Sequence, residues 1–176
     1  AGLHLEDQTS PKRCGHLDGK TLITPQQMAQ KIRAAVLARQ DESFMIIART
    51  DAKGVECLES AIDRAKLYAD AGADAIFPEG LESEAEFEQF RTAIKIPLLA
   101  NMTEFGKTPI IPMSRWADLG YNLVIYPNAA FRVILKGLVD SYGELIRSGT
   151  QAALIDGMKT RKELYELIDY AEYDAF

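Results

Sequence analysis

The sequence predicts an α/β fold: the later part of a (β/α)8 TIM-type barrel, with about five strands and their helices, then C-terminal helices. Three observations carry that expectation. Strand-like and helix-like segments alternate along the chain. The strand segments are short, largely apolar runs, such as Phe44–Ala48, as expected of strands buried on both faces. A polar residue stands at or just past the end of each: Glu6, Arg49, Glu79, Asn101 with Thr103, and Asn128. Alternation with buried-type strands implies a parallel sheet. No glycine-rich phosphate loop follows the first strand, which weighs against a dinucleotide-binding sheet. Polar residues at the C-terminal strand ends are where a β/α barrel keeps its chemistry.

Taken in order, residues 2–6 (GLHLE) read as a strand, followed by a polar loop carrying Gly15 and Gly19. A helix is expected over 24–39. Thr24 suits the N-cap, Pro25 the first helical position, and Gln27 completes a capping box. Met28, Ile32 and Val36 share one face. After the strand at 44–48 comes a helix over about 55–71, with Leu58, Ile62, Ala65 and Ala69 on one stripe and Gly72 ending it. Residues 74–79 (DAIFPE) are a strand. Ser83 and Glu86 suggest a second capping box, for a helix bearing Phe87, Phe90 and Ile94. Strands at 97–101 and 122–127 flank a short helix near 114–119. A long helix over about 129–147 and two more near 150–158 and 161–171 complete the chain, with Thr160 and Glu163 boxing the last.

Eight strands typically need about 250 residues. The 176 present hold five, so the expectation is a barrel whose first strands are missing or supplied by another chain. The expected division is 1–148, the barrel part with an active-site loop at 8–22, and 149–176, C-terminal helices that pack either on the chain's own barrel or in exchange with a neighbouring subunit.

Composition narrows the function. Hydrophobic residues make up 47% and charged residues 26%, an ordinary globular balance, and no apolar run approaches a membrane span. The net charge of −6 argues against nucleic acid as a partner but not against a small anionic ligand. Two cysteines make no disulfide framework, so a reduced, cytoplasmic chain is expected, and the opening AGLHLEDQ does not resemble a signal peptide.

The candidate site residues follow. Cys14 sits among Lys12, Arg13, Gly15 and His16, and neighbouring cations favour a thiolate. A small buried hydrophobe is the other reading of a lone cysteine. Cys57 is expected on an amphipathic helix in a structural role. Glu6 either caps a turn or contacts a hard cation. Arg49, ending a buried strand, needs a carboxylate partner or an anionic ligand, and Glu79 is an obvious mate. Asn101 and Thr103 either satisfy loop backbone or bind ligand.

Together HLEDQTSPKRCGH, ARTDA, FPEG, NMTEFG and IYPNAAFR resemble the isocitrate lyase / phosphoenolpyruvate mutase superfamily, over the whole chain but only about the last three-fifths of a member. The resemblance implies that Cys14 is the catalytic acid on a mobile loop, accompanied by Lys12, Gly15 and His16. It implies that Glu6 sits in the metal site through water, and that Arg49 binds a substrate carboxylate and the reacting oxygen. Glu79, Asn101 and Thr103 would position the remaining groups, and Phe77, Ile125 and Pro127 would line a pocket for a substrate methyl group. The cysteine resembles the carbon–carbon lyases of the superfamily rather than its phosphonomutases. The implied reaction is a retro-aldol (Claisen-type) cleavage of 2-methylisocitrate to pyruvate and succinate, dependent on Mg2+ or Mn2+. The alternatives are 2,3-dimethylmalate, isocitrate or oxaloacetate as substrate, or a non-catalytic fragment. The superfamily's other metal-ligand aspartates lie on earlier strands and have no counterpart here. The resemblance also implies a homotetramer, with Leu164, Leu167 and Ile168 on the packing face of a C-terminal helix.

Overall fold

The computed structural model describes residues 1–173, in two compact units that divide between Ala129 and Ala130. The first unit runs β1 (Gly2–Glu6), α1 (Pro25–Ala38), β2 (Met45–Thr50), α2 (Leu58–Asp70), β3 (Ala75–Pro78), α3 (Glu84–Ala93), β4 (Leu99–Asn101), α4 (Met113–Asp118) and β5 (Leu123–Ile125). A 3-10 turn, Ala52–Gly54, follows β2. Every strand pairing is parallel: β1 with β2, β2 with β3, and β4 with β5. A single parallel bridge between Ile76 and Leu98 joins the two groups. Strand order therefore equals chain order, as in one wall of a β/α barrel.

The period-2 alternation of strands assigns the two faces. In β2, Ile46, Ala48 and Thr50 are buried, while Met45, Ile47 and Arg49 are only partly so. Ile46, Ala48, Ile76, Leu98 and Ala100 share a core with Met28 and Ile32 of α1, Ala61 and Ala65 of α2, and Phe87 and Phe90 of α3. That is the helix-covered side. Register then fixes the other side. Glu6 pairs with Arg49 and Arg49 with Phe77, so these three lie in one row across β1, β2 and β3. Asn101 and Ile125 form a row on β4 and β5, level with Glu79 just past β3. His4 meets Phe77 edge-on at 5.9 Å, which confirms the shared face.

Beside α4 the core is aromatic. Phe87, Trp116 and Tyr121 make three edge-to-face contacts at 4.7, 5.1 and 5.4 Å. Pairs of this kind contribute about 0.5–1.5 kcal/mol each beyond the area they bury. The helix ends follow local chemistry. Thr24 and Gln27 form the expected capping box, with Pro25 opening α1. Gly72 and Gly120 end α2 and α4 at φ +102° and +77°, backbone that a side chain disfavours.

Several expectations are corrected. β2 runs two residues further than the apolar run, so Arg49 and Thr50 are strand residues. Only half of the second capping box forms: Ser83 accepts from the Glu86 N–H, but the Glu86 carboxylate accepts from the Glu82 N–H instead. Cys57 does not lie within α2; it is exposed and caps it, its sulfur accepting from the Ser60 N–H. The helix expected over 161–171 is two short ones, treated with the second unit.

That unit contains α5 (Ala129–Ser148, entered from the first unit), a 3-10 helix Ala152–Gly157 where a helix was expected, α6 (Arg161–Leu167) and α7 (Tyr170–Tyr173). The Thr160–Glu163 capping box opens α6 as expected. The break before α7 falls at Asp169, whose φ of +51° no α-helix accommodates. Tyr165 and Tyr170 stack at 4.4 Å across it.

Candidate active site

The C-terminal strand ends of the first unit converge on Arg49. Its guanidinium binds Asp51 through Nε and Nη2 at 2.9 and 3.0 Å. It reaches Glu79 through Nη1 at 3.1 Å and Glu6 through Nε at 3.3 Å, and it lies over the Phe77 ring at 5.0 Å. A half-buried arginine thus faces three carboxylates and a π face. Burial works against its charge, and the Asp51 hydrogen bonds with the carboxylates outweigh that, raising its pKa.

Glu79, 3% exposed, is the second hub. Its Oε1 lies 3.0 Å from His16 Nε2, and Asn101 Nδ2 donates to both oxygens at 3.3 and 3.5 Å. Burial pushes the Glu79 carboxyl up. The His16 contact and the Arg49 charge more than cancel this and hold it below the usual carboxylate value. His16 Nδ1 accepts the Lys107 backbone N–H at 3.0 Å, which leaves the ring proton on Nε2, facing Glu79.

The loop bearing Cys14 is folded down on this cluster. Gly15 is buried, and a Cβ there would overlap Glu79 Cγ and come within 2.7 Å of Arg49 Nη2. Cys14 itself is exposed. Lys12 reaches back to Glu6 at 3.1 Å. At the loop base, Gln8 bridges Leu22 in antiparallel fashion, and Thr9 N–H bonds to Thr21 O at 2.9 Å. On the far side Lys107 Nζ meets Asp18 at 3.0 Å, so the Cys14 loop also touches the loop after β4.

The expected residues thus fall into groups. Gly15, His16 and Lys12 on the loop come together with Glu6, Arg49, Glu79 and Asn101 on the rim, while Cys14, between Lys12 and Gly15 in the chain, keeps its side chain exposed. Thr103 is buried and accepts from Asn128 Nδ2 at 3.4 Å. Phe77 is 1% exposed, with its ring already covered by Arg49 and His4. Ile125 is the register partner of Asn101 and lines a groove of about 380 Å3 with His4, Met45, Ile47 and Leu99. Pro127 is exposed, two residues beyond β5.

Sequence reasoning missed two acids. Asp51 is the bidentate partner of Arg49; the A-R-T-D spacing, i to i+2 past a strand end, was the available signal. Asp7 is fully buried. It accepts from Thr50 Oγ1 at 2.8 Å, Asp51 N–H at 3.0 Å and Tyr68 OH at 2.8 Å, with Arg64 Nη1 at 3.5 Å. It ties the end of β1, and so Glu6, to the end of β2 and to α2. Burial pushes its carboxyl up despite these donors.

Glu6 was expected at a metal. One of its oxygens faces Lys12 and the other Arg49. Among the described residues no group of three His, Cys, Asp or Glu side chains is arranged to hold a metal ion. A hard cation wants about six oxygens. The described residues therefore do not form a metal centre by themselves.

Comparison with known proteins places the arrangement in context. The family described as Phosphoenolpyruvate phosphomutase matches residues 1–146. "Probable 2-methylisocitrate lyase 2" of Corynebacterium glutamicum is 55% identical over 176 residues, covering 100% of this chain and 57% of that protein. A crystal structure of 2,3-dimethylmalate lyase, a PEP mutase/isocitrate lyase superfamily member, superposes with a TM-score of 0.88 at 34% identity, covering 99% of this chain and 59% of that one. A phosphonopyruvate hydrolase in complex with oxalate and Mg2+ superposes with a TM-score of 0.82 at 27% identity, covering 99% and 60%. The chain thus spans somewhat under two thirds of the length of these relatives.

Proposed function

The chain belongs to the phosphoenolpyruvate phosphomutase family of the PEP mutase/isocitrate lyase superfamily, and from that premise we propose that it carries the acid–base half of a carbon–carbon lyase. The substrate is 2-methylisocitrate and the products are pyruvate and succinate. The observation that carries this reading is the closure of the Cys14 loop over the Arg49–Glu79 pair, with Gly15 against both side chains.

In the proposed reaction the substrate's 2-hydroxyl loses its proton, the adjacent C–C bond breaks, and the electron pair passes into the succinate fragment as an enediolate. That pair then takes a proton at carbon. Arg49 binds a substrate carboxylate and offsets the charge that develops on the oxygens. Glu79, held ionised, accepts the hydroxyl proton. Asn101 Oδ1, buried without a hydrogen-bond partner among the described residues, is an acceptor free for a substrate hydroxyl. Cys14 donates the proton to carbon. The cation of Lys12, two residues away, favours the thiolate left behind, His16 holds Glu79 ionised, and Gly15 lets the loop close on Arg49 and Glu79. Thr103 accepts from Asn128 and so ties the loop after β4 to the loop after β5. Ile125, Pro127 and the edge of Phe77 receive the methyl group, a contact worth about 1–3 kcal/mol of discrimination.

Mg2+, or Mn2+ in its place, is the cofactor proposed for the intact protein. Glu6 is the contact this chain offers it, and no step above passes through the metal. The partner proposed is a second copy of the chain, within a homotetramer packed through Leu164, Leu167 and Ile168, and the compartment is the cytoplasm.

The test assays the intact protein with 2-methylisocitrate, 2,3-dimethylmalate, isocitrate and oxaloacetate, with and without Mg2+, beside a Cys14→Ser variant. Turnover of 2-methylisocitrate that Cys14→Ser abolishes supports the reading. Near-normal turnover by Cys14→Ser refutes the proton-donor role, and preference for another substrate refutes the substrate assignment.

A further inference from the structure

Two buried polar residues of the Cys14 loop take no part in the chemistry above. Gln8 is 5% exposed and Lys20 is 6% exposed. Both side chains turn inward and bind backbone on either side of Cys14.

The Gln8 carboxamide grips Arg13 at both polar groups. Its Nε2 donates to Arg13 O at 2.9 Å, and its Oε1 accepts from the Arg13 N–H at 2.8 Å. This is the hydrogen-bond pattern of a paired strand, supplied by a side chain. Lys20 Nζ donates to Gly15 O at 2.5 Å and to Leu17 O at 2.6 Å. Between these two grips, Leu17 N–H donates to Cys14 O at 3.0 Å. The three consecutive carbonyls of Arg13, Cys14 and Gly15 thus each have a donor. Two of the three donors are side chains reaching in from outside the turn.

The chemistry of those donors is specific. A glutamine amide supplies a donor and an acceptor side by side, which glutamate and methionine do not. A buried ammonium is costly unless its protons are taken, and two of the three go to carbonyls in short, charge-assisted bonds. Gly54, in the turn after β2, leaves room for the ammonium: a Cβ there would lie 3.3 Å from Nζ. Cys14 stays exposed throughout. The result is a surface thiol on a backbone immobilised from both sides.

We propose that Gln8 and Lys20 are positioning residues that splint the Cys14 turn and so hold the thiol in its proton-donating place. This rests on the reading of Cys14 as the proton donor. A donor to carbon has no long-range attraction to guide it, so its approach must be set by the backbone that carries it. A free loop would sample many positions, and the closed site would find its acid absent most of the time.

The experiment compares Lys20→Met and Gln8→Met with wild type and Cys14→Ser, all in the intact protein. Amide hydrogen exchange over residues 12–18 is read first. Removing either grip is expected to speed exchange there about tenfold, the effect of losing roughly one net hydrogen bond's worth of protection. Turnover is read second. kcat is expected to fall about 100-fold, as for a misplacement of about 1 Å, with KM within about threefold of wild type. Unchanged exchange in both variants overturns the splint whatever the activity. Faster exchange with kcat retained, while Cys14→Ser is inactive, overturns the positioning role. If Cys14→Ser itself turns over normally, the proton-donor reading has failed, the positioning role falls with it, and exchange alone decides the splint. If Lys20→Met does not fold, Gln8→Met decides by the same two readouts, because it removes neutral hydrogen bonds only.

Discussion

Gly15→Ala adds one methyl group to the underside of the Cys14 loop. Its backbone is not in the left-handed region, so the substitution carries no φ penalty and its effect is purely steric. The added Cβ would overlap Glu79 Cγ and stand 2.7 Å from both Glu79 Cδ and Arg49 Nη2. Ordinary carbon contacts are about 3.5–4.0 Å, so at least about 1 Å must be found. Glu79 cannot give it. Its carboxylate is held by Arg49 at 3.1 Å, His16 at 3.0 Å and the Gly80 N–H at 3.1 Å. Arg49 is held in turn by Asp51 on two nitrogens. The loop is the softer partner and lifts, taking Cys14 and His16 with it. A displacement of that size costs about 100-fold in rate. Steady-state kinetics of the intact protein on 2-methylisocitrate should therefore show kcat reduced about 100-fold. The melting temperature should stay within a few degrees, because the loop relieves the clash without disturbing the core. Gly19→Ala is the contrasting control: its φ of +79° strains the backbone, but its nearest neighbour, Arg13 Nη1, is 3.5 Å away. Wild-type kcat in Gly15→Ala would refute the closed-loop geometry as the reactive one.

Other outcomes follow from the same contacts. A Cβ on Gly106 would come within 2.7 Å of His16 Nδ1, so Gly106→Ala should break the Lys107–His16 bond and lower kcat about tenfold or more; kcat unchanged would mean the two loops act separately. Glu79 is held below its ordinary value of 4.5, so it stabilises the fold at neutral pH, and that contribution is lost as pH falls below 4.5 and through the folded-state value. Glu79→Gln should thus lower the melting temperature at pH 7 and flatten the acid limb between pH 7 and 3; parallel limbs would contradict the pairing. Calorimetric titration of this 176-residue chain with MgCl2 should detect no site tighter than about millimolar, since two cations already occupy Glu6; a micromolar site would show that the residues here suffice.

Particular residues show how far the amino-acid order reached. The capping boxes at Thr24–Gln27 and Thr160–Glu163 are local, and both form as read. The box at Ser83–Glu86 is equally local in pattern, yet Glu86 prefers the Glu82 N–H, one residue earlier, a choice the motif does not encode. Arg49 was legible as a buried-strand arginine needing a carboxylate. That it would have three was not: Asp51 is two residues away on the same strand end, but Glu6 and Glu79 reach it from neighbouring strands, where register decides which side chains meet. At Phe77 the structure adds what a motif does not carry: Arg49 and His4 share its ring.

By itself, the sequence determined what depends on near neighbours. Apolar runs with polar ends set the order of strands and helices and marked the rim on which Glu6, Arg49, Glu79 and Asn101 stand. The K-R-C-G-H loop was recognisable because its chemistry is contiguous. The pairings across distance arise only on folding: Gly15 beneath the loop against Glu79, His16 fixed by the Lys107 backbone, and Gln8 and Lys20 turned inward on either side of Cys14. Those contacts depend on parallel register and on a loop folding back over three strand ends. Neither is written in any short stretch of residues, because each side chain's partner is chosen by the packing of elements far apart in the chain.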